Sequence, residues 1–320
     1  MSNAAAAPHP GKWQRWWPVL RRLLLTAFFV LVATLLFSQA RSIDWRGVAQ
    51  VLRDYRATTL MLAGALAASS YFVYSCFDLL GRKWTCHRVP VRQVMLVTFV
   101  SYAFNLNLGS WIGGFAFRYR LYSRLGLASS TITRVLSLSL VTNWLGYMVL
   151  AGCVFALRLL APPDDWKLGA GALQALGVAL LVVAAAYVLM CARSRRRTWS
   201  VRGHEFTLPP LRLALTQVVM SCMNWMLMAG VIFVLLQDKV DYPIVLGVLL
   251  VAAIAGVVIH IPAGLGVTEA VFIAALEAQV PRGEVLAAVL AYRAIYYLAP
   301  LMLATLVYFV LEARARKTAA

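Results

Sequence analysis

The stretch His260-Ile261-Pro262-Ala263-Gly264-Leu265-Gly266-Val267-Thr268-Glu269-Ala270 interrupts an apolar run that otherwise extends over residues 244–276. Proline has no backbone donor, and glycine tolerates open backbone angles, so a helix stops here. In hydrocarbon, unwound backbone survives only where protein or trapped water satisfies its polar groups. A carboxylate just past the break adds a further cost. A chain that keeps both at membrane depth is expected to use them.

The rest of the sequence agrees with that setting. It has 320 residues, is 62% hydrophobic and has a mean hydropathy of +0.76. These values exclude an ordinary soluble domain and fit a polytopic helical membrane protein. Apolar segments fall at about 19–40, 59–80, 94–117, 130–157, 168–191, 211–236, 244–279 and 285–311, which leaves no room for a soluble catalytic domain. The net charge of +18 is read as basic loops facing anionic lipid, not as a nucleic-acid surface. Tryptophans 16, 17, 45, 84, 166 and 199 cluster at segment ends, as an interfacial belt requires. The five cysteines have no metal spacing, and no disulfide is expected. Ser38-Gln39-Ala40 after the first apolar run resembles a signal-peptidase site; an uncleaved first helix is the preferred reading.

Two segments differ from plain spanning helices. One is the Pro262 break. The other reads Phe104-Asn105-Leu106-Asn107-Leu108-Gly109-Ser110-Trp111-Ile112-Gly113-Gly114, with glycines and asparagines where Leu and Val would serve. Each is either a broken spanning helix or a re-entrant hairpin. Loop charge favours hairpins. With both re-entrant and the N-terminus inside, 21 Lys and Arg fall on the cytoplasmic side and 8 outside. The fold expected is all-α: six spanning helices plus two re-entrant or broken hairpins in one membrane domain of residues 1–320. Its halves, about 19–157 and 168–311, would form an inverted repeat whose hairpins dip in from opposite faces.

The candidate site residues follow from that plan. Glu269 is nearly alone among the twelve acids; of the others only Asp78 lies near the inner end of an apolar segment. Glu269 is a candidate proton carrier, or a simple helix cap. Arg293, early in the last helix, needs a partner. Glu269 is the obvious one, an interfacial position is the alternative, and exchange of Glu269 for a lipid phosphate combines the two. Pro262, Gly264 and Gly266 shape the second break, and Gly113 and Gly114 the first. Asn105 and Asn107 either hold the unwound backbone or touch polar substrate groups. Arg118, Arg120 and Arg134 either bind phosphate at the cytoplasmic entrance or anchor the positive side. Asn143 and Asn224 read as interhelical hydrogen-bonding groups. No phosphate loop, zinc motif or catalytic triad is present in the sequence, and no cofactor is expected.

At residues 262–270 the chain resembles the lysylphosphatidylglycerol synthase transmembrane-region family, which includes the YbhN-like inner-membrane proteins. Ala263 stands where that family's pattern has its second glycine. Tyr292-Arg293 through Pro300 resembles the family's arginine-containing last helix. Asn105 through Arg118 resembles its earlier asparagine- and glycine-rich segment, with Phe115 where a glutamate is common. The family includes the flippase half of the multiple peptide resistance factor proteins. The resemblance therefore implies movement of an anionic phospholipid or isoprenoid-type lipid across a bacterial inner membrane; the loop charge puts both termini on its cytoplasmic side. Two other classes compete: a non-transporting partner of lipid-synthesis enzymes, and an intramembrane lipid headgroup transferase or hydrolase.

Overall fold

A computed structural model describes Val30, Thr34 and residues 45–160, 169–194, 198–201, 204–259 and 264–319. The chain divides into two units, Met1–Trp45 and Arg46–Ala320. In the first, Val30 and Thr34 are helical, and the Thr34 hydroxyl donates to the Val30 carbonyl at 2.8 Å. The first expected apolar segment, residues 19–40, otherwise lies outside the described residues, as does the candidate cleavage site.

The second unit is a helical bundle. Helix α1 (Trp45–Asp54) leads into α2 (Ala57–Ser75) and α3 (Phe77–Thr85), which together make one 29-residue apolar span. Then come α4 (Val91–Leu108), a wide-turn segment (Ser110–Ala116), α5 (Phe117–Arg124), α6 (Ser129–Ala156) and α7 (Ala170–Arg193). The arginine-rich loop carries two short antiparallel strands, β1 (Thr198–Val201) and β2 (His204–Thr207), with Thr198 opposite Thr207. Nothing in the apolar pattern announced them. Helices α8 (Leu211–Leu235), α9 (Tyr242–Ile259), α10 (Val267–Leu276) and α11 (Arg282–Tyr292) follow. A second wide-turn segment (Arg293–Leu298) then runs into α12 (Ala299–Ala319). Among the described residues, six helices are long and apolar enough to cross a membrane. The fold is all-α and polytopic apart from that strand pair.

The bundle exposes apolar side chains, and its largely apolar core encloses a set of polar groups. Met61, Phe72, Val182, Val219, Val258, Met302, Leu306 and Phe309 are exposed, whereas Ser70, Asp78, Thr98, Ser101, Asn107, Arg118, Gln217, Ser221, Asn224 and Arg293 are buried. In a lipid solvent this order is the stable one: tails lose nothing against leucine, and polar groups find one another inside. Helices α6 and α8 are joined in this way. Gln217 Nε2 donates to Thr142 Oγ1 at 2.7 Å, while Ser221 Oγ and Trp225 Nε1 donate to the Asn143 carbonyl at 3.0 and 3.2 Å. Asn143 thus contributes main chain to the helix contact. Asn224 does use its side chain, accepting from Ser70 Oγ at 2.8 Å.

Both unusual segments fold back. At Gly109 the backbone takes φ +85°, and the wide-turn segment returns against α4. Phe104 on one limb stacks on Phe117 of the other, with ring centres 4.1 Å apart. A Cβ at Gly113 would overlap the backbone of Phe104 and Asn105, so glycine there sets how closely the limbs approach. Gly113→Ala is accordingly expected to cost ~1–3 kcal/mol by overpacking. This would be read as a lower melting temperature in detergent; an unchanged one would mean that the limbs are not in contact. The two ends of this hairpin meet, because residues 87–90 and 125–128 line the same pocket. In the second hairpin α10 packs along α9, and at ten residues it is too short to cross a bilayer. Its ends lie near one another as well: Lys239, before α9, is ion-paired with Glu284, after α10.

The span formed by α2 and α3 orders these two ends. Its start lies beside Tyr55, whose hydroxyl donates to the Leu235 carbonyl at 2.9 Å, in a pocket shared with Lys239 and Glu284. Its far end leads to His87 and the mouth of the first hairpin. The two hairpins therefore open at opposite ends of the bundle.

Candidate functional site

The second break places Glu269 and Arg293 face to face. Gly264 and Gly266 hold positive φ values of +56° and +78°, which a side chain resists, and α10 starts immediately after them. Glu269 therefore sits in the first turn of α10. Arg293 lies where α11 widens into i→i+5 turns, a local geometry often found at functional positions. It is 11 residues into the helix that begins at Arg282, or ~16 Å along the axis. Arg293 Nε donates to Glu269 Oε1. Its Nη2 donates both to Glu269 Oε2 and to the Gly264 carbonyl, each at 2.8 Å. The guanidinium carbon is 5.7 Å from the Tyr297 ring centre. The Arg293 and Glu269 side chains are only 10% and 15% exposed. One arginine thus neutralises the carboxylate and occupies a carbonyl freed by the break. Pro262 lies outside the described residues.

Asn107, at the tip of the first hairpin, approaches the same region. Its Nδ2 donates to Ala103 O at 2.8 Å and to Tyr297 O at 3.3 Å, so it ties the first hairpin to the helix that carries Arg293. Asn105 faces the returning limb, with its Oδ1 2.9 Å from where a Gly114 Cβ would stand. That oxygen and Asn107 Oδ1 are buried without a hydrogen bond. The two asparagines, Gly113 and Gly114 thus come together at the first hairpin tip.

Two of the arginines after that hairpin, Arg118 and Arg134, part company. Arg118 is not turned toward an entrance: it is 5% exposed and points into the bundle. Its Nε donates to Asp78 Oδ2 at 3.1 Å and its Nη2 to Ser139 Oγ at 3.4 Å, and Tyr122 Oη donates to the same Asp78 oxygen at 2.8 Å. Arg134 is exposed on α6 and belongs to neither cluster. The Asp78–Arg118 pair was missed as a unit in the sequence, although an acid within an apolar segment is itself the signal to look for a partner.

Between the two ion pairs lies a buried layer of Tyr71, Tyr74, Tyr102, Tyr292 and Tyr296. Ser70 Oγ donates to Asn224 and lies 2.6 Å from the Tyr296 hydroxyl, which in turn lies 3.1 Å from that of Tyr102. One set of proton positions satisfies this chain: Tyr102 donates to Tyr296, Tyr296 to Ser70, and Ser70 to Asn224. Tyr102 also stacks on Tyr74, with ring centres 3.5 Å apart, and Arg118 lies 5.8 Å over the Tyr74 ring. The two guanidinium groups flank the layer. Among the described residues no cluster of His, Cys, Asp and Glu could hold a metal ion, and no two of the cysteines form a disulfide.

Comparison with known proteins fits this architecture. The sequence profile of the lysylphosphatidylglycerol synthase TM region matches residues 20–304. The chain is 47% identical to the inner membrane protein YbhN of Escherichia coli (strain K12) over 302 residues, covering 94% of this chain and 95% of that protein. It is 27% identical to the uncharacterized protein slr0712 of Synechocystis, covering 92% of each. It is 22% identical to the phosphatidylglycerol lysyltransferase of Staphylococcus haemolyticus, covering 89% of this chain but 33% of the enzyme. A profile that spans both hairpins and both ion pairs makes this chain a member of the lysylphosphatidylglycerol synthase TM region family and a multi-pass bacterial inner membrane protein.

Proposed function

We propose that the protein is a lipid translocator of the bacterial inner membrane. It would move an anionic phospholipid or isoprenoid-type lipid between leaflets without altering it chemically. The observation that carries this reading is the enclosed Arg293, held by Glu269 and by an unwound-turn carbonyl at the break between α9 and the short helix α10. A guanidinium binds carboxylate and phosphate with the same two-pronged geometry. A headgroup phosphate can therefore replace Glu269 on Arg293 at little cost, and leave again when Glu269 returns. Hairpins that open at opposite ends suit a site reached from each side in turn, in the manner of inverted-repeat transporters with halves at 19–157 and 168–311. The basic-loop count supports cytoplasmic termini. The lysyltransferase that the chain resembles over a third of its length supports phosphatidylglycerol-type lipids as the first substrates to test.

The test is reconstitution into liposomes carrying a trace of headgroup-labelled phosphatidylglycerol, with the label in the outer leaflet quenched by a membrane-impermeant reductant. Wild-type protein should render the inner-leaflet label accessible far faster than protein-free liposomes do. Equal rates with and without protein, repeated with a polyprenyl phosphate probe, would exclude translocation.

A further inference from the structure

Asp78 differs from Glu269 in one respect. Arg293 engages both Glu269 oxygens, whereas every bond to Asp78 falls on Oδ2. Asp78 is 0% exposed, and its Oδ1 is buried without a hydrogen-bond partner. A bare carboxylate oxygen in a poorly polarisable interior is costly. A proton is small enough to join it without displacing a neighbour.

A route to it starts at the mouth of the first hairpin. There a pocket of about 420 Å³ is lined by His87, Arg88, Gln93 and Thr131, among others. His87 Nδ1 accepts the Val89 N–H at 3.4 Å, which leaves the proton of a neutral imidazole on Nε2. That Nε2 is buried without a partner. The imidazole lies edge-on to Tyr122, with ring centres 6.3 Å apart, and the Tyr122 hydroxyl is bonded to Asp78. Burial pushes the His87 imidazole below its usual value; Arg82 adds to this and Asp78 opposes it. At neutral pH His87 is thus a neutral group: a proton taken up at Nδ1, in place of the long Val89 N–H contact, releases the one held on Nε2.

We propose that Asp78 is a proton-binding site loaded from the His87 pocket, and that this proton is the coupling ion of transport. The coupling rests on the translocator reading; the proton site does not. One proton passes from water through His87 to Asp78 Oδ1, where an O–H bond forms, and the Asp78–Arg118 pair goes from neutral to a net charge of +1. The charged and titratable groups facing the carboxyl are Arg118 and Tyr122 from α5, with His87 and Arg82 from the end of its own span. Ser139 of α6 and Tyr74 of α2 hold the far side of Arg118. Protonation removes the counter-charge that holds Arg118 in place and frees the hairpin limb that carries it to move.

Infrared difference spectroscopy of the purified full chain in lipid nanodiscs, recorded as the pH is lowered and restored, tests the site without any lipid substrate. Wild-type protein should show a reversible protonated-carboxyl band that Asp78→Asn removes and Glu269→Gln leaves. Tyr122→Phe, which deletes one hydroxyl, should shift the frequency of that band and guards against misfolding of the asparagine variant. His87→Gln should slow the band's rise after a pH jump severalfold without changing its final size. Absence of the band in wild-type protein, or a band indifferent to both Asp78→Asn and Tyr122→Phe, overturns the proton site. An unchanged rise in His87→Gln overturns the route. If the band behaves as expected but liposomes transfer no lipid, the proton site stands and the translocator reading falls.

Discussion

Glu269→Gln and Arg293→Ala are each expected to slow lipid transfer at least ~100-fold, because a barrier raised by about 3 kcal/mol has that effect. Arg293 lies beside an unwound turn, and at rest its guanidinium donates to Glu269 and Gly264. Alanine removes the only guanidinium seen at the turn among the described residues, so a phosphate would enter the bundle without a counter-charge. Glutamine keeps the shape of Glu269 but turns an amide toward the guanidinium, setting donor against donor and leaving Arg293 without neutralisation. Both side chains retain some exposure, so the penalty on folding is smaller than in a sealed pair. Transfer rates in liposomes, set beside melting temperatures in detergent, separate the two effects. Normal transfer by both variants would end the assignment of this pair to the substrate.

Arg118→Ala is expected to be the more damaging change for stability, by ~3–5 kcal/mol, because it strands a buried carboxylate. Asp78 is sealed and Arg118 nearly so, with 0% and 6% of their side chains exposed. Replacing both, as in Asp78→Leu with Arg118→Met, should recover most of the loss, since an apolar pair removes the desolvation cost along with the attraction. Arg134→Ala, at an exposed position on the next helix, should stay within ~0.5 kcal/mol. Thermal unfolding in one detergent checks all three. A double variant as unstable as Arg118→Ala alone would mean that the pair shapes the hairpin rather than balancing charge.

These two pairs were not equally legible in the sequence. Glu269 and Arg293 stand out because each is a charge inside an apolar segment and the two segments are consecutive, so a short hairpin suffices to bring them together. Asp78 was visible as an acid near the inner end of an apolar segment, but its partner is 40 residues on, beyond a segment whose direction had to be known first. Arg118, with Arg120 and Arg134, reads in the sequence as an entrance or anchoring arginine; only the short helix α5, turned back along α4, aims it inward. The tyrosines at 71, 74, 102, 292 and 296 give no signal in the sequence, since a hydroxyl network between separate helices has no local period.

What the sequence determined by itself was the class of the fold and the places where helix must fail. Long apolar runs exclude a water-soluble bundle, and glycine and proline at membrane depth exclude a plain spanning helix. Loop charge already favoured hairpins; the tertiary structure alone decided how closely their limbs approach and which buried charges meet. Those outcomes depend on contacts between helices far apart in the chain, where close approach at Gly113 and burial of Asp78 against Arg118 select one packing among many that share the same hydrophobic pattern.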